Sequence, residues 1–98
     1  MVRKVVFSSK AENDLALIIE YLKNEWSDKQ IRDFNSILNE KLEVIVNYPK
    51  SYPSVINNNN IRKCVLIKQI SLFYLIKKES ISVLRLFDTR SNPSKLKL

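Results

Sequence analysis

Ile61-Arg62-Lys63-Cys64-Val65-Leu66-Ile67, Ser71-Leu72-Phe73-Tyr74-Leu75-Ile76 and Ile81-Ser82-Val83-Leu84-Arg85-Leu86-Phe87 follow one another almost without pause. Each run is short and rich in β-branched and aromatic residues, and only Lys68-Gln69-Ile70 and Lys77 to Ser80 separate them, so the three read as strands of an antiparallel meander. Alternation places Leu72, Tyr74 and Ile76 on one side of their strand and Phe73 and Leu75 on the other. On the next strand it places Ile81, Val83, Arg85 and Phe87 opposite Leu84 and Leu86. Both faces of the sheet are therefore partly apolar. What one layer of helices leaves uncovered must meet a loop, the C-terminal tail, a second copy or a partner.

Upstream, Tyr48 to Asn60 reads as loop: Pro49 and Pro53 break regular structure, and the amides of Asn57 to Asn60 favour turns and left-handed backbone. Before it, Ile31, Phe34, Leu38, Leu42 and Ile45 recur at helical spacing, with Ile37 and Val44 widening the stripe. Ser27 and Gln30 form a capping box at the start of that helix. Ala11, Leu15, Ile18, Leu22 and Trp26 make an earlier stripe, preceded by Ser9 and Glu12 as another capping box. Val2 to Phe7 opens the chain as a basic β-branched strand. The order is strand, helix, helix and three strands, an α+β single domain over residues 1–98 with a helical hairpin on one face of a mainly antiparallel sheet.

Composition removes several chemistries. The 98 residues include no His and no Gly. A glycine-built phosphate loop or nucleophile elbow is excluded, and so is any imidazole base or Ser-His or Cys-His pair. One Cys cannot hold zinc alone, so the expectation is no metal and no cofactor. Cys64, inside an apolar run, reads as a small buried hydrophobe. No apolar run approaches the roughly 20 residues that span a bilayer. The N-terminus does not resemble a secretory signal, so a cytoplasmic protein without a membrane role is expected.

Charge is distributed unevenly. Residues 1–47 carry seven Lys and Arg against eight Asp and Glu, and residues 48–98 carry ten against two, so the whole net charge of +7 resides in the second half. A one-sided positive field suits an acidic protein or nucleic-acid phosphates.

The opening Phe7-Ser8-Ser9-Lys10-Ala11-Glu12-Asn13-Asp14-Leu15, the helix ending before Tyr48-Pro49, the strand opening Ile61-Arg62-Lys63 and the run Ile70 to Ile76 have a familiar order. With the close Ile81-Ser82-Val83-Leu84-Arg85-Leu86-Phe87-Asp88-Thr89-Arg90-Ser91-Asn92-Pro93, the chain resembles toxins of the RelE/ParE superfamily over nearly its full length. The resemblance implies a β-α-α-β-β-β fold, the toxin role in a type II toxin-antitoxin system, and an acidic cognate antitoxin that covers the working surface, with a homodimer or a heterotetramer as possible assemblies. It also implies one of two targets. ParE-like members poison DNA gyrase by binding. RelE-like members cleave messenger RNA on the ribosome, which requires cations and a proton acceptor.

Arg62, Lys63, Lys68, Arg85 and Arg90 supply candidate cations for binding target or antitoxin, and in the nuclease reading Lys63, Lys68, Arg85 and Arg90 would carry catalysis without a metal. After Arg90 the chain reads Ser-Asn-Pro-Ser-Lys-Leu-Lys-Leu, without Tyr, His, Asp or Glu, so the proton acceptor is missing. Asp88 reads as an ion-pair partner and Tyr74 as a core aromatic. The expectation is a ParE-like binding toxin, with a RelE-like nuclease or an inactive antitoxin-binding relative as alternatives.

Overall fold

A computed structural model describes residues 3–55, 57–88 and 98. Within them Ser8 ends strand β1 (Lys4–Phe7) and begins helix α1 (Ser9–Glu25). The cap falls one residue earlier than the Ser9 expected from sequence. Ser8 is held extended because its N–H donates to the Val83 carbonyl and its hydroxyl donates to the Leu84 carbonyl, at 2.9 Å each; the same hydroxyl oxygen accepts from the Ala11 N–H. Tertiary bonds to the sheet thus choose between two adjacent serines of equal capping propensity.

Helix α2 (Asp28–Asn47) starts where expected, with the reciprocal Ser27–Gln30 capping box formed at 3.3 and 3.0 Å. It ends at Tyr48, followed by Pro49. The two stripes are core-facing: Ala11, Leu22, Phe34, Leu38 and Ile45 are buried, and Leu15, Ile18, Trp26, Ile31, Ile37 and Leu42 pack against them half-buried. Val44 is not part of this face and stands exposed.

The loop 48–60 contains more structure than its sequence suggests. Ser54–Val55 forms a short strand β2, and β3 (Asn58–Ile67) begins inside the asparagine run. Asn57 between them has φ 70°, a left-handed conformation that Asn tolerates. With β4 (Ile70–Ile76) and β5 (Ser80–Asp88), these make a five-stranded sheet of order β1-β5-β4-β3-β2. The meander is antiparallel, and β1 lies parallel to the first half of β5, Lys4 opposite Ser80 and Phe7 opposite Val83. The α+β reading stands, with one strand more than expected.

One face of the sheet carries Cys64, Leu66, Ile70, Leu72, Tyr74, Ile81, Val83 and Leu86 into the helical core. On β4 the alternation expected from sequence is kept. On β5 it is broken, because Tyr74 pairs with Val83 whereas Phe73 pairs with Arg85, leaving Leu84 as an extra residue. This bulge inverts the facing of everything after it. Leu86 therefore joins Ile81 and Val83 inside, and Arg85 goes to the opposite face.

Cys64 is fully buried in the core. Burial pushes up the ionisation of the Cys64 thiol and of the Tyr52 and Tyr74 hydroxyls, so all three stay protonated at neutral pH. Tyr74 donates its hydroxyl hydrogen to the Pro49 carbonyl at 2.6 Å, tying the end of α2 to the middle of the sheet. No described helix is long and apolar enough to cross a membrane.

Candidate functional site

Strand β1 stops opposite Val83, so β5 continues from Leu84 to Asp88 as the edge of the sheet. Bare strand edges invite unwanted pairing and are usually protected. Here α1 does so with side chains. The Asp14 carboxylate accepts from the Leu86 backbone N–H at 3.1 Å in the place of a strand partner, and takes two bonds from the Arg85 guanidinium, from Nε at 2.7 Å and from a terminal nitrogen at 3.0 Å. Both side chains are largely shielded, at 18% and 13% exposure. The bidentate contact strengthens the hold of Arg85 on its proton.

Next to this pair, an open groove of about 370 Å³ runs between α1 and the far half of β5. Buried Leu22, Ile70 and Leu86 form its floor. Leu17 and Tyr21 stand on its rim at 57% and 42% exposure. Two large apolar side chains in water on one rim, above an apolar floor and beside a strand edge, form a surface suited to receive another chain.

Sequence reasoning missed this groove although a signal was present. Asp14, Leu17 and Tyr21 stand three and four residues apart, a second seam beside the core stripe of Leu15, Ile18 and Leu22. A helix of this kind faces two things at once.

Of the five cations singled out from the sequence, the four that the structure describes do not form one cluster. Arg62 is turned to loop carbonyls, its Nε donating to Asn59 at 2.8 Å and a terminal nitrogen to Tyr52 at 3.0 Å and Lys50 at 3.4 Å. It braces the α2–β3 connection. Arg85 is engaged by Asp14. Lys63 and Lys68 are exposed, Lys63 on β3 and Lys68 in the β3–β4 turn. Arg90 lies outside the described residues.

Register aligns Lys63, Phe73 and Arg85 across β3, β4 and β5 on the face away from the helical core. Phe73 in this row is only 7% exposed, whereas Val65 on the same face is 53% exposed, so that face is open and apolar only in part. The carboxylate at this row is Asp14, and its oxygens already accept from Arg85 and Leu86. Among the described residues no group of three His, Cys, Asp or Glu side chains converges to hold a metal ion.

The fold recurs in solved toxin structures. The chain is similar to the chromosomal ParDE toxin-antitoxin system from P. aeruginosa, at 15% identity and a TM-score of 0.72, over 89% of this chain and 96% of that one. It is similar to a chain of the E. coli DinJ-YafQ toxin-antitoxin complex, at 12% identity and a TM-score of 0.64, over 92% and 96%. The YoeB dimer from Staphylococcus aureus matches at 16% identity and a TM-score of 0.62, over 89% and 97%. At these identities the likeness establishes the RelE/ParE-like fold. A search of curated proteins by sequence finds no match. The model of the ParE toxin of type II toxin-antitoxin systems matches residues 5–93, and the chain accordingly belongs to the ParE toxin family, as the toxin component of such a system.

Proposed function

We propose that this toxin arrests growth by binding DNA gyrase, without bond-breaking chemistry of its own, and that an acidic cognate antitoxin neutralises it by laying an apolar segment in the groove between α1 and β5. The observation that carries the binding reading over a nuclease is the engagement of Asp14, whose carboxylate already accepts three hydrogen bonds, two of them from a guanidinium. A general base must lie within hydrogen-bond reach of the proton it removes, and a carboxylate clamped by a guanidinium would have to give up part of that pairing to take one. The carboxylate beside the cationic row has its oxygens committed to Arg85 and to the backbone of Leu86. The family match favours the same side.

For the antitoxin, the groove supplies apolar burial and the +7 chain supplies charge complementarity. A segment that orders on binding needs both to offset its lost entropy. Lys63 and Lys68 are the cations we assign to target or antitoxin contact, with Arg90 on the chain beyond β5. Arg62 and Arg85 contribute by holding the backbone around them.

The experiment is a gyrase supercoiling and cleavage assay with purified toxin, run beside primer extension on messenger RNA from toxin-arrested cells. Loss of supercoiling or accumulation of cleaved DNA with intact messages supports the proposal. Codon-phased cuts in messages with unaltered DNA topology would instead establish the RelE-like reading, in which exposed Lys63 and Lys68 transfer protons. Tight antitoxin binding with neither effect would mark an inactive relative.

A further inference from the structure

Four cations far apart in the sequence meet at the end of the sheet opposite the groove. Lys77 and Lys78 form the tip of the β4–β5 hairpin, closed by the Lys77 N–H donating to the Ser80 carbonyl at 2.9 Å. Strand β1 docks beside that tip. Lys4 is the register partner of Ser80 and its N–H donates to the Glu79 carbonyl at 3.1 Å. One step earlier the Arg3 Nε donates to the Lys77 carbonyl at 2.8 Å. Backbone and side-chain bonds thus fix Arg3, Lys4, Lys77 and Lys78 around one turn.

No described carboxylate neutralises this knob. Lys4, Lys77 and Lys78 are exposed, and among the described residues none of the three makes an ion pair. Glu79 is the one acidic side chain in the turn. Concentrating like charges at a tip costs stability, which an external anion would recover.

The neighbourhood distinguishes among anions. A protein interface is usually anchored by buried aromatic or aliphatic side chains, and a membrane contact requires an apolar face. Among the described residues the tip shows neither: Ile76 and Ile81 turn inward, half-buried and buried, and Val6 is a single exposed apolar neighbour. Binding single-stranded nucleic acid relies on aromatic platforms, and none of Arg3, Lys4, Lys77, Lys78 and Glu79 supplies one. The phosphate backbone of a duplex requires only positive charge on a convex knob.

We infer that the β4–β5 hairpin tip, with the start of β1, contacts the sugar-phosphate backbone of duplex DNA without reading its sequence. Ser80 and Leu86 are separated by six residue steps of extended strand, roughly 20 Å, so a segment in the groove and a duplex at the tip occupy different ends of β5. The contact is therefore compatible with antitoxin binding and independent of which target the toxin has.

The test is fluorescence anisotropy of a labelled duplex of random sequence titrated with the full chain over a range of salt concentrations. Four phosphate contacts give a slope of log affinity against log salt of about −3.6. Lys77→Glu/Lys78→Glu is expected to weaken binding about tenfold or more and to reduce the slope toward about −2. Lys23→Glu/Arg32→Glu, exposed on the helices, carries the same change in net charge and is expected to lose much less. Equal losses from the two variants would reduce the effect to overall charge and overturn the inference. It is equally overturned by a single strand that binds more tightly than the duplex, or by binding insensitive to salt. Circular dichroism of each variant shows that the fold is kept.

Discussion

Asp14 and Arg85, 71 positions apart, join the first turns of α1 to the edge of the sheet by a two-pronged contact at 2.7 and 3.0 Å. The same carboxylate takes the Leu86 N–H. One side chain therefore does three things: it seats the helix, it terminates a strand edge, and it holds a cation that its sequence context presents as available.

Replacing Asp14 by Ala removes the two-pronged acceptor of a largely shielded guanidinium and the acceptor of the Leu86 N–H. The expected loss is about 1–3 kcal/mol, read as a lower urea midpoint at unchanged m-value. Arg85→Ala alone is expected to cost less, because the carboxylate that remains keeps the Leu86 N–H as a donor. Equal stability of wild type and Asp14→Ala would show the contact to be energetically idle.

Stability is expected to fall in alkaline solution. Burial raises the ionisation of Cys64 above its ordinary value of 9.0, and that of Tyr52 and Tyr74 above 10.0. Between the unfolded and folded values the unfolded chain has released protons that the native chain keeps, so stability is intact below about pH 9 and declines above it. Urea titrations at successive pH values check this. Native Cys64 should also resist thiol reagents at pH 8 and react fully in denaturant.

Ser8→Ala removes the cap of α1 and the hydroxyl bond to the Leu84 carbonyl together. The expected cost is about 1–2 kcal/mol. Ser9→Ala, which loses no such bond, is the control for the choice between the two serines, and a larger effect at Ser9 would reverse it.

Leu17→Lys and Tyr21→Ala test the groove. Both side chains are exposed, so the thermal midpoint is expected to move little. Affinity for the antitoxin, measured by calorimetry on the refolded pair, is expected to drop about tenfold or more if these are anchors. Unchanged affinity in both would place the antitoxin elsewhere.

The local elements were legible from the chain because their causes are local. Helical periodicity from Ala11 to Trp26 and from Ile31 to Ile45, the capping box at Ser27 and the three apolar runs after Ile61 each depend on residues within a few positions of one another. Buried Ala11, Leu22, Phe34, Leu38 and Ile45 follow from those stripes. The site was less legible. The single residue Leu84, inserted by the bulge, reverses which side of β5 Arg85 and Leu86 face. No alternation rule anticipates where a bulge falls.

By itself the sequence determined the α+β class, the order of its helices and longer strands, the exclusion of imidazole and glycine-loop chemistry, and the positive second half. Tertiary structure alone decided that β1 pairs in parallel with β5, that Arg62 and Arg85 serve their own backbone and helix, and that Arg3, Lys4, Lys77 and Lys78 meet at one tip. The physical reason is range. Periodicity and capping act within one or two turns of chain, whereas pairing register and the partners of a long charged side chain depend on segments brought together only when the apolar faces pack.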